Sequence, residues 1–426
     1  MPDLNRDMGR EVRLLCVIDK QTCFMDHNGE DASVNEVTLE ALPQTGTSFI
    51  GICIGESQYG SSLWSVDVTS AHMDQVLSST GNPYISNSLP KLRNGEFYAV
   101  LITVKYNDQS DSYLYRTYSE DAPRRADVLR MAFLEFGCEK TQRYERLYQE
   151  RLHGQPERAK RQKVRAHQGQ FVLVPYSVGQ GMCSLLHNGS VGYLLDAGAG
   201  TPIKRPDYIG KKFSNQLRDD INGLDEVNVI LSHLDADHFR LLRWDTELLN
   251  KVACIFIPSQ QHWVDCADKR VASKVTPVKT MKVVGPNLTL HCVRTQPSFK
   301  TNIKNDHALI VHVQLNDEDA LFPGDYSYQK LRSDKNPYLA NLPQSYEYLC
   351  APHHGDEESQ YSVPEKNSPN SVVFFSAGNH KSWGHPKPSS VTAHESQGFN
   401  THTEQYTRCI KGLNGCTINK ANKIIG

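Results

Sequence analysis

The sequence predicts an α+β protein with a strand-rich N-terminal domain, a helical and basic linker, and a larger C-terminal unit of strands interleaved with helices. Three observations lead there. Short β-branched and aromatic runs crowd residues 11–118, a charged segment with three-to-four apolar spacing follows, and from Phe171 onward most apolar runs stop abruptly at a polar or ionisable residue. At 426 residues, two or three domains are expected.

Composition bounds the function classes. With 38% hydrophobic and 22% charged residues and a formal net charge of −2, a globular core is feasible and no basic excess announces a nucleic-acid partner. The N-terminal "MPDLNRDMGREVRLL" has no apolar core of signal-peptide length, and no run approaches the roughly 20 apolar residues of a membrane helix. Eleven cysteines, without a CxxC pair, fit reduced thiols better than a disulfide framework or a cysteine zinc site. A cytoplasmic protein without a membrane partner is the expectation.

In chain order, residues 1–120 form the strand-rich domain, through "VRLLCVI", "SFIGICIG", "LWSVDV" and "FYAVLITVKY", punctuated by Gly, Asn, Pro and Ser. Residues 121–168 form the linker. Asp121 and Pro123 supply a helix start, and Val128, Leu129, Ala132, Phe133 and Phe136 recur at the spacing of one helical face. Its second half carries Arg158, Lys160, Arg161, Lys163 and Arg165, a solvated face or a phosphate-backbone contact. Residues 169–426 form the larger unit, with strands "FVLVPYSV", "VGYLLDAG", "VNVILSH", "CIFIPS", "LTLHCV", "ALIVHVQL", "ALFPGD", "YEYLCAPHHG" and "SVVFFSAG".

The chemistry sits at the ends of those strands. Asp196 follows "GYLL", His233 follows "VILS", Asp325 follows "LFPG", His353 and His354 follow "YLCAP", and His385 follows the last strand across a short loop. Strand ends converging at one sheet edge aim side chains into a shared site. "HLDADH" packs His233, Asp235, Asp237 and His238 into six residues, a bunching that a cation would resolve. "FPGD" alone is an ordinary turn, and a lone His after a strand is usually a surface or core-edge residue.

These motifs resemble the metallo-β-lactamase fold, and within it the branch of the hydrolase-like domain of the DNA-uptake protein ComEC. The resemblance is carried by "SVGQG" (Ser177 to Gly181), "YLLDAG", "SHLDADH", "NDHALIV", "LFPGD", "APHHG" and "FSAGNHKSWGHP", in family order over 171 to about 400. It implies an αββα metallo-β-lactamase sandwich with a metal centre at one edge, holding two divalent ions, Zn2+ or Mn2+. By position His233 and Asp235 would hold one ion, Asp237 and His238 the other, and Asp325 would bridge them. His353 and His385 would complete the ligands. Asp237 and His354 are the catalytic candidates, with His354 as acid or exchanging roles with His353. Met182 stands where the branch carries a carboxylate, "FRLLR" replaces a double glycine, and His307, beside Asn305 and Asp306, is the nearest counterpart of a further family histidine.

The expected activity is metal-dependent hydrolysis through a metal-bound hydroxide, with a phosphodiester of nucleic acid or a nucleotide as substrate. Alternatives are a hydrolase of another ester, or a binding or regulatory module of the same fold. Tyr176, Tyr208, Trp244, Trp263 and Trp383 are candidate stacking surfaces that serve equally as buried packing. Lys204, Arg205, Lys211 and Lys212 form a basic loop beside the site by family analogy. The N-terminal domain would select substrate or a protein partner.

Overall fold

The computed structural model describes residues 11–23, 45–53, 63–69, 100–119, 123–133, 169–201, 203, 205–209, 215–261, 263–298, 304–378 and 384–401. The chain divides into two units, Met1–Gln155 with Trp263–Ser273, and Pro156–His262 with Lys274–Gly426. Among the described residues, no helix is long and apolar enough to cross a membrane.

The first unit is a closed barrel of β1 (Glu11–Cys23), β2 (Thr45–Cys53), β3 (Leu63–Thr69), β4 (Val100–Tyr106), β5 (Tyr113–Arg116) and β6 (Arg124–Phe133), in the order β1-β2-β3-β5-β6-β4. Leu14, Val66, Ile102, Leu114 and Val128 meet in its core. The four expected strand runs coincide with β1 to β4. The expected helix does not form over 124–133, which is β6, paired antiparallel with β4. A β-bulge explains the misleading spacing. Thr103 faces Arg130 and Val104 faces Val128, so Leu129 is the extra residue, 39% exposed. Buried positions therefore run 126, 128, 131, mixing a step of two with a step of three, which imitates a helical face. The rest of the expected linker, 134–168, lies outside the described residues.

Trp263–Ser273 joins this unit although the sequence gives no sign of it. The Tyr118 hydroxyl donates to Asp265 at 2.5 Å, and Arg270 Nη2 donates to the Tyr118 carbonyl at 2.9 Å. Trp263 is buried.

The second unit holds two larger sheets. The first contains β7 (Val172–Pro175), β8 (Cys183–His187), β9 (Val191–Ala197), β10 (Glu226–Ile230), β11 (Val252–Pro258) and β12 (Val275–Val278), with β9 to β12 mutually parallel. The second runs β13 (Thr280–Val284), β14 (Leu288–Arg294), β15 (Leu309–Leu315), β16 (Glu318–Phe322), β18 (Tyr348–Cys350), β20 (Val372–Phe374) and β21 (Asn400–Thr401), and from β16 onward its strands are parallel. β17 (Ser345–Tyr346) and β19 (Glu365–Lys366) form a two-stranded sheet.

Alternation assigns each face. Leu309, Val311 and Val313 of β15 meet Leu173, Tyr193 and Ile230 of the first sheet in one apolar cluster, so the two sheets share a core. Ile310 points the other way, into a second cluster with Tyr328, Leu331 and Leu339 from short helices over the outer face. On the first sheet, the helix Ala236–Trp244 lies against β9. The unit thus mixes α and β with two sheets sharing one core, and its parallel strands release their following loops toward one edge.

His394, on the helix Pro388–Ser396, is fully buried in this packing. Its Nδ1–H donates to the Ser390 carbonyl at 2.7 Å, and the Tyr328 hydroxyl donates to Nε2 at 3.1 Å. Burial pushes the imidazole down to about 4, so it is neutral in the folded protein at pH 7. The unfolded chain, with a histidine near pH 6.5, binds a proton that the folded one refuses. Stability from this group is therefore present above about pH 6.5 and lost as pH falls toward 4, by about 2 kcal/mol between pH 7 and 5. Replacing His394 with Gln should narrow the stability gap to the wild type by that amount over the same interval, measured by denaturant unfolding at the two pH values. An unchanged gap would show that His394 is not held neutral.

Candidate metal centre

The "SHLDADH" segment bridges the end of β10 and the start of the helix Ala236–Trp244. Asp235 is its N-cap residue, and Asp237 and His238 lie in its first turn. A helix N-terminus tolerates this density of carboxylate because its exposed N–H groups carry partial positive charge. Asp325 follows β16, and His353 and His354 follow β18. Strands from both sheets thereby deliver one cluster.

Its distances are short. His238 Nε2 lies 3.1 Å from Asp325 Oδ1, His233 Nε2 lies 3.4 Å from Asp325 Oδ2, and His354 Nε2 lies 3.4 Å from Asp237 Oδ2. Among the described residues, two groups of three have ligand atoms within 4.8 Å of one another: His233, His238 and Asp325, and Asp237, His238 and His354. His238 belongs to both. His233 Nε2, His238 Nε2, Asp325 Oδ1 and His354 Nε2 are buried without a hydrogen-bond partner. Burying such atoms unpaired is costly, and nitrogen and carboxylate oxygen atoms facing one space are a donor set that suits divalent cations.

The remaining expected residues are arranged around these groups. Asp235 Oδ2 is 3.7 Å from His233 Nε2, and His353 Nε2 is 3.6 Å from Asp325 Oδ2. His353 is 38% exposed, whereas His354 is buried, so His353 is the one that solvent reaches. His385 is in neither group. Its Nδ1 lies 3.3 Å from Gln180 Nε2, and its ring stacks at 17° on that of His354, 6.2 Å away. His307 is also in neither group; its carbonyl accepts from Gln261 Nε2 at 2.5 Å. Met182 is buried in the shared core of the sheets, which accounts for an apolar side chain there.

Charge in the cluster follows the geometry. Burial would raise the Asp325 carboxyl, but His238, His353 and His233 outweigh it and hold it below the ordinary carboxylate range. Burial likewise opposes charge on Asp237, yet His354, whose Nε2 lies 3.4 Å from Oδ2, and the nearby His238 keep its pKa well below normal. Burial would lower His353, but Asp325 and then Asp356 push it up to about 9. For His385, burial and then the adjacent His354 and His353 lower the imidazole to about 4. The cluster concentrates positive charge on Asp325, the place a cation would take.

Several orienting residues were not in the sequence-level site. Asp196 accepts from Ser232 N at 2.7 Å and Ser232 Oγ at 2.8 Å, and its Oδ2 lies 2.8 Å from His238 Nδ1, which leaves His238 Nε2 for the cluster. His354 Nδ1–H donates to the Ser376 carbonyl at 2.8 Å with the same effect. Asp356 Oδ2 holds His353 Nδ1 at 2.8 Å, and Asn305 Nδ2 donates to Asp325 Oδ2 at 3.3 Å. Asp196 stood out as a strand-end residue, but the residues it contacts are 36 and 42 positions away. Asp356, directly after "HHG", was the legible one.

The backbone is strained here. Asp196, His353 and His354 have φ of 58°, 46° and 59°, the left-handed region in which each non-glycine residue costs about 1–3 kcal/mol. Gly198 is required by close approach, since a Cβ there would sit 1.7 Å from the Asp237 carbonyl oxygen.

Of the stacking candidates, Tyr176 and Tyr208 are buried and donate to Asp220 and Asp245, and Trp263 is buried in the first unit. Trp244 is half-buried, its ring 6.0 Å from that of Tyr208. Arg205 is buried, and Lys204, Lys211, Lys212 and Trp383 lie outside the described residues.

No protein-family model matches the chain, and no curated protein does. Among solved structures it is similar to CmlA, a diiron β-hydroxylase from Streptomyces venezuelae, at 9% identity over 60% of this chain and 54% of that one, with a TM-score of 0.31. It is similar to a protein of unknown function from Enterococcus faecalis V583 (10% identity, 59% of this chain, 71% of that one, TM-score 0.29). A possible metal-dependent hydrolase from Veillonella parvula DSM 2008 is also similar (11%, 60%, 99%, TM-score 0.29). The chain spans only 44% and 54% of the two CmlA structures. At these scores the likeness decides nothing about chemistry, which is read from the site's own atoms.

Replacing Asp196 with Asn should leave the fold intact and weaken cation binding about 10–100-fold, because His238 loses the carboxylate that orients it. Titration of chelator-treated protein with Zn2+ or Mn2+ by calorimetry measures this. Unchanged affinity would remove Asp196 from the site.

Proposed function

We propose that the chain is a metal-dependent phosphodiesterase of the metallo-β-lactamase fold and ComEC-like branch, acting on nucleic acid or a nucleotide. The observation that carries this is the set of four buried, unpartnered ligand atoms on His233, His238, Asp325 and His354. His233, His238 and Asp325 would hold one ion, Asp237 and His354 would face the second, and Asp235 and His353 stand at the margin. When bound, two divalent ions supply a lowered water pKa and compensation for charge on phosphoryl oxygens. The phosphodiester reading rests on the sequence resemblance, and the cluster supplies the cation chemistry it needs.

The protein's own groups divide the remaining work. Asp196 and the Ser376 carbonyl fix His238 and His354 with Nε2 toward the cluster. On this reading His354 serves as a ligand and the acid role falls to His353. His353 is half-exposed, Asp356 holds its Nδ1, and its Nε2 is the atom that would hand a proton to a departing oxygen. His385, neutral at pH 7, would orient substrate rather than carry charge.

The 426-residue protein, stripped with chelator and reloaded with Mn2+ or Zn2+, should hydrolyse bis-p-nitrophenyl phosphate. Asp325→Asn should fall below about one hundredth of that rate and lose bound metal. Metal binding with turnover of p-nitrophenyl acetate alone would replace the diesterase by an esterase; no metal uptake would end the proposal.

His353→Gln separates the two histidines. It should keep its metal and lose about 100-fold or more in kcat, while His354→Gln should lose metal affinity. Metal loss from His353→Gln with retention in His354→Gln would reverse the assignment.

A further inference from the structure

The barrel of the first unit carries a feature the metal centre does not explain. On its described strands the inward-facing residues are apolar, with Val66, Ile102, Leu114, Ala126 and Val128 among them. Two arginines share that face: Arg116 lies two residues beyond Leu114 on β5, and Arg124 lies two before Ala126 on β6. Trp64 is opposite Arg116, Leu114 is opposite Arg124, and Ala126 is opposite Tyr106. Arg116 and Arg124 are therefore diagonal neighbours, a separation of roughly 7–8 Å between adjacent strands, at one end of the barrel.

Each is backed by an aromatic ring. The Arg124 guanidinium carbon lies 3.9 Å from the Tyr106 ring centroid, and that of Arg116 lies 5.4 Å from the Trp64 centroid. Among the described residues neither has a carboxylate within ion-pair distance, and Arg124 Nη1 is buried without a hydrogen-bond partner. Among the side chains described on these strands, the acids face the other way: Glu11 precedes inward Val12, Asp67 lies between Val66 and Val68, and Asp127 between Ala126 and Val128. Arg125 on that outer face has partners, Asp111 at 3.8 Å and the Ser110 carbonyl at 2.9 Å. Two like charges over an apolar core, without counter-charge among the described residues, are an unfavourable arrangement that an anion relieves.

We infer that this end of the barrel binds a phosphate group through Arg116 and Arg124. Stacking on a ring leaves a guanidinium's N–H edge open, and two such forks match a tetrahedral anion with several acceptor oxygens better than a single carboxylate. The phosphate belongs to a free nucleotide or to a nucleic-acid backbone, and the test distinguishes them. The inference does not depend on the metal centre.

Full-length protein is treated with chelator, so that the metal centre cannot hold phosphate through a cation, and probed by anisotropy with a fluorescein-labelled oligothymidylate, with pyrophosphate and a nucleoside diphosphate as competitors. Saturable binding should be weakened at least about tenfold in Arg116→Gln and in Arg124→Gln. Arg130→Gln, exposed on the outer face of β6, should bind as the wild type does. Competition at equal phosphate concentration by the nucleoside diphosphate assigns a free nucleotide, and oligothymidylate outlasting both competitors assigns a backbone. Circular dichroism checks each variant's fold, and calorimetry with pyrophosphate gives a second readout. No binding of any probe, or losses equal in Arg130→Gln and the two inward variants, would overturn the inference.

Discussion

Asp325 is the carboxylate on which the second unit turns. It ends a strand of one sheet, yet its oxygens face His233 and His238 from the other, at 3.4 and 3.1 Å. A buried carboxylate beside histidines stays charged only if positive charge is supplied, by protonated imidazoles or by cations. Both sheets are thereby tied at one edge through a polar contact, while Leu309, Val311 and Tyr193 hold them together through apolar burial. The apolar core sets the distance between the sheets, and Asp325 defines what can occupy the space at their edge.

The surrounding loops show how much structure is spent on that space. Asp196, His353 and His354 adopt left-handed backbone at a cost ordinary surface loops do not incur. In return, Asp196 orients His238, and the paired left-handed turn at His353 and His354 sends two adjacent side chains to different neighbours, Asp356 and the Ser376 carbonyl. Gly198 lets the "YLLDAG" loop, which carries Asp196, press against the Asp237 carbonyl, so the two segments support each other through backbone.

Much of this was legible in the sequence because ligand density is visible there. "HLDADH" announced itself, and the strand-end habit singled out Asp325, His353 and His354, which follow β16 and β18. The division of labour between His353 and His354 was not legible, since it depends on two positive φ values and on Ser376, 22 residues away from His354. The same holds for His385, whose Nδ1 lies 3.3 Å from the side chain of Gln180, 205 residues away. In the barrel, one unpaired residue, Leu129, disguised a strand as a helix. Trp263–Ser273 joins the first unit through Tyr118 and Arg270, a pairing with no periodic signature.

The central claim is that the orphaned atoms of His233, His238, Asp325 and His354 exist to hold cations. Anomalous diffraction from crystals grown with Mn2+ or Zn2+, recorded on both sides of the metal's absorption edge, tests it most directly. The account predicts two peaks about 3.5–4 Å apart, one bounded by His233, His238 and Asp325 and the other beside Asp237 and His354. An edge-dependent map empty at this cluster, with the side chains unchanged, would contradict it.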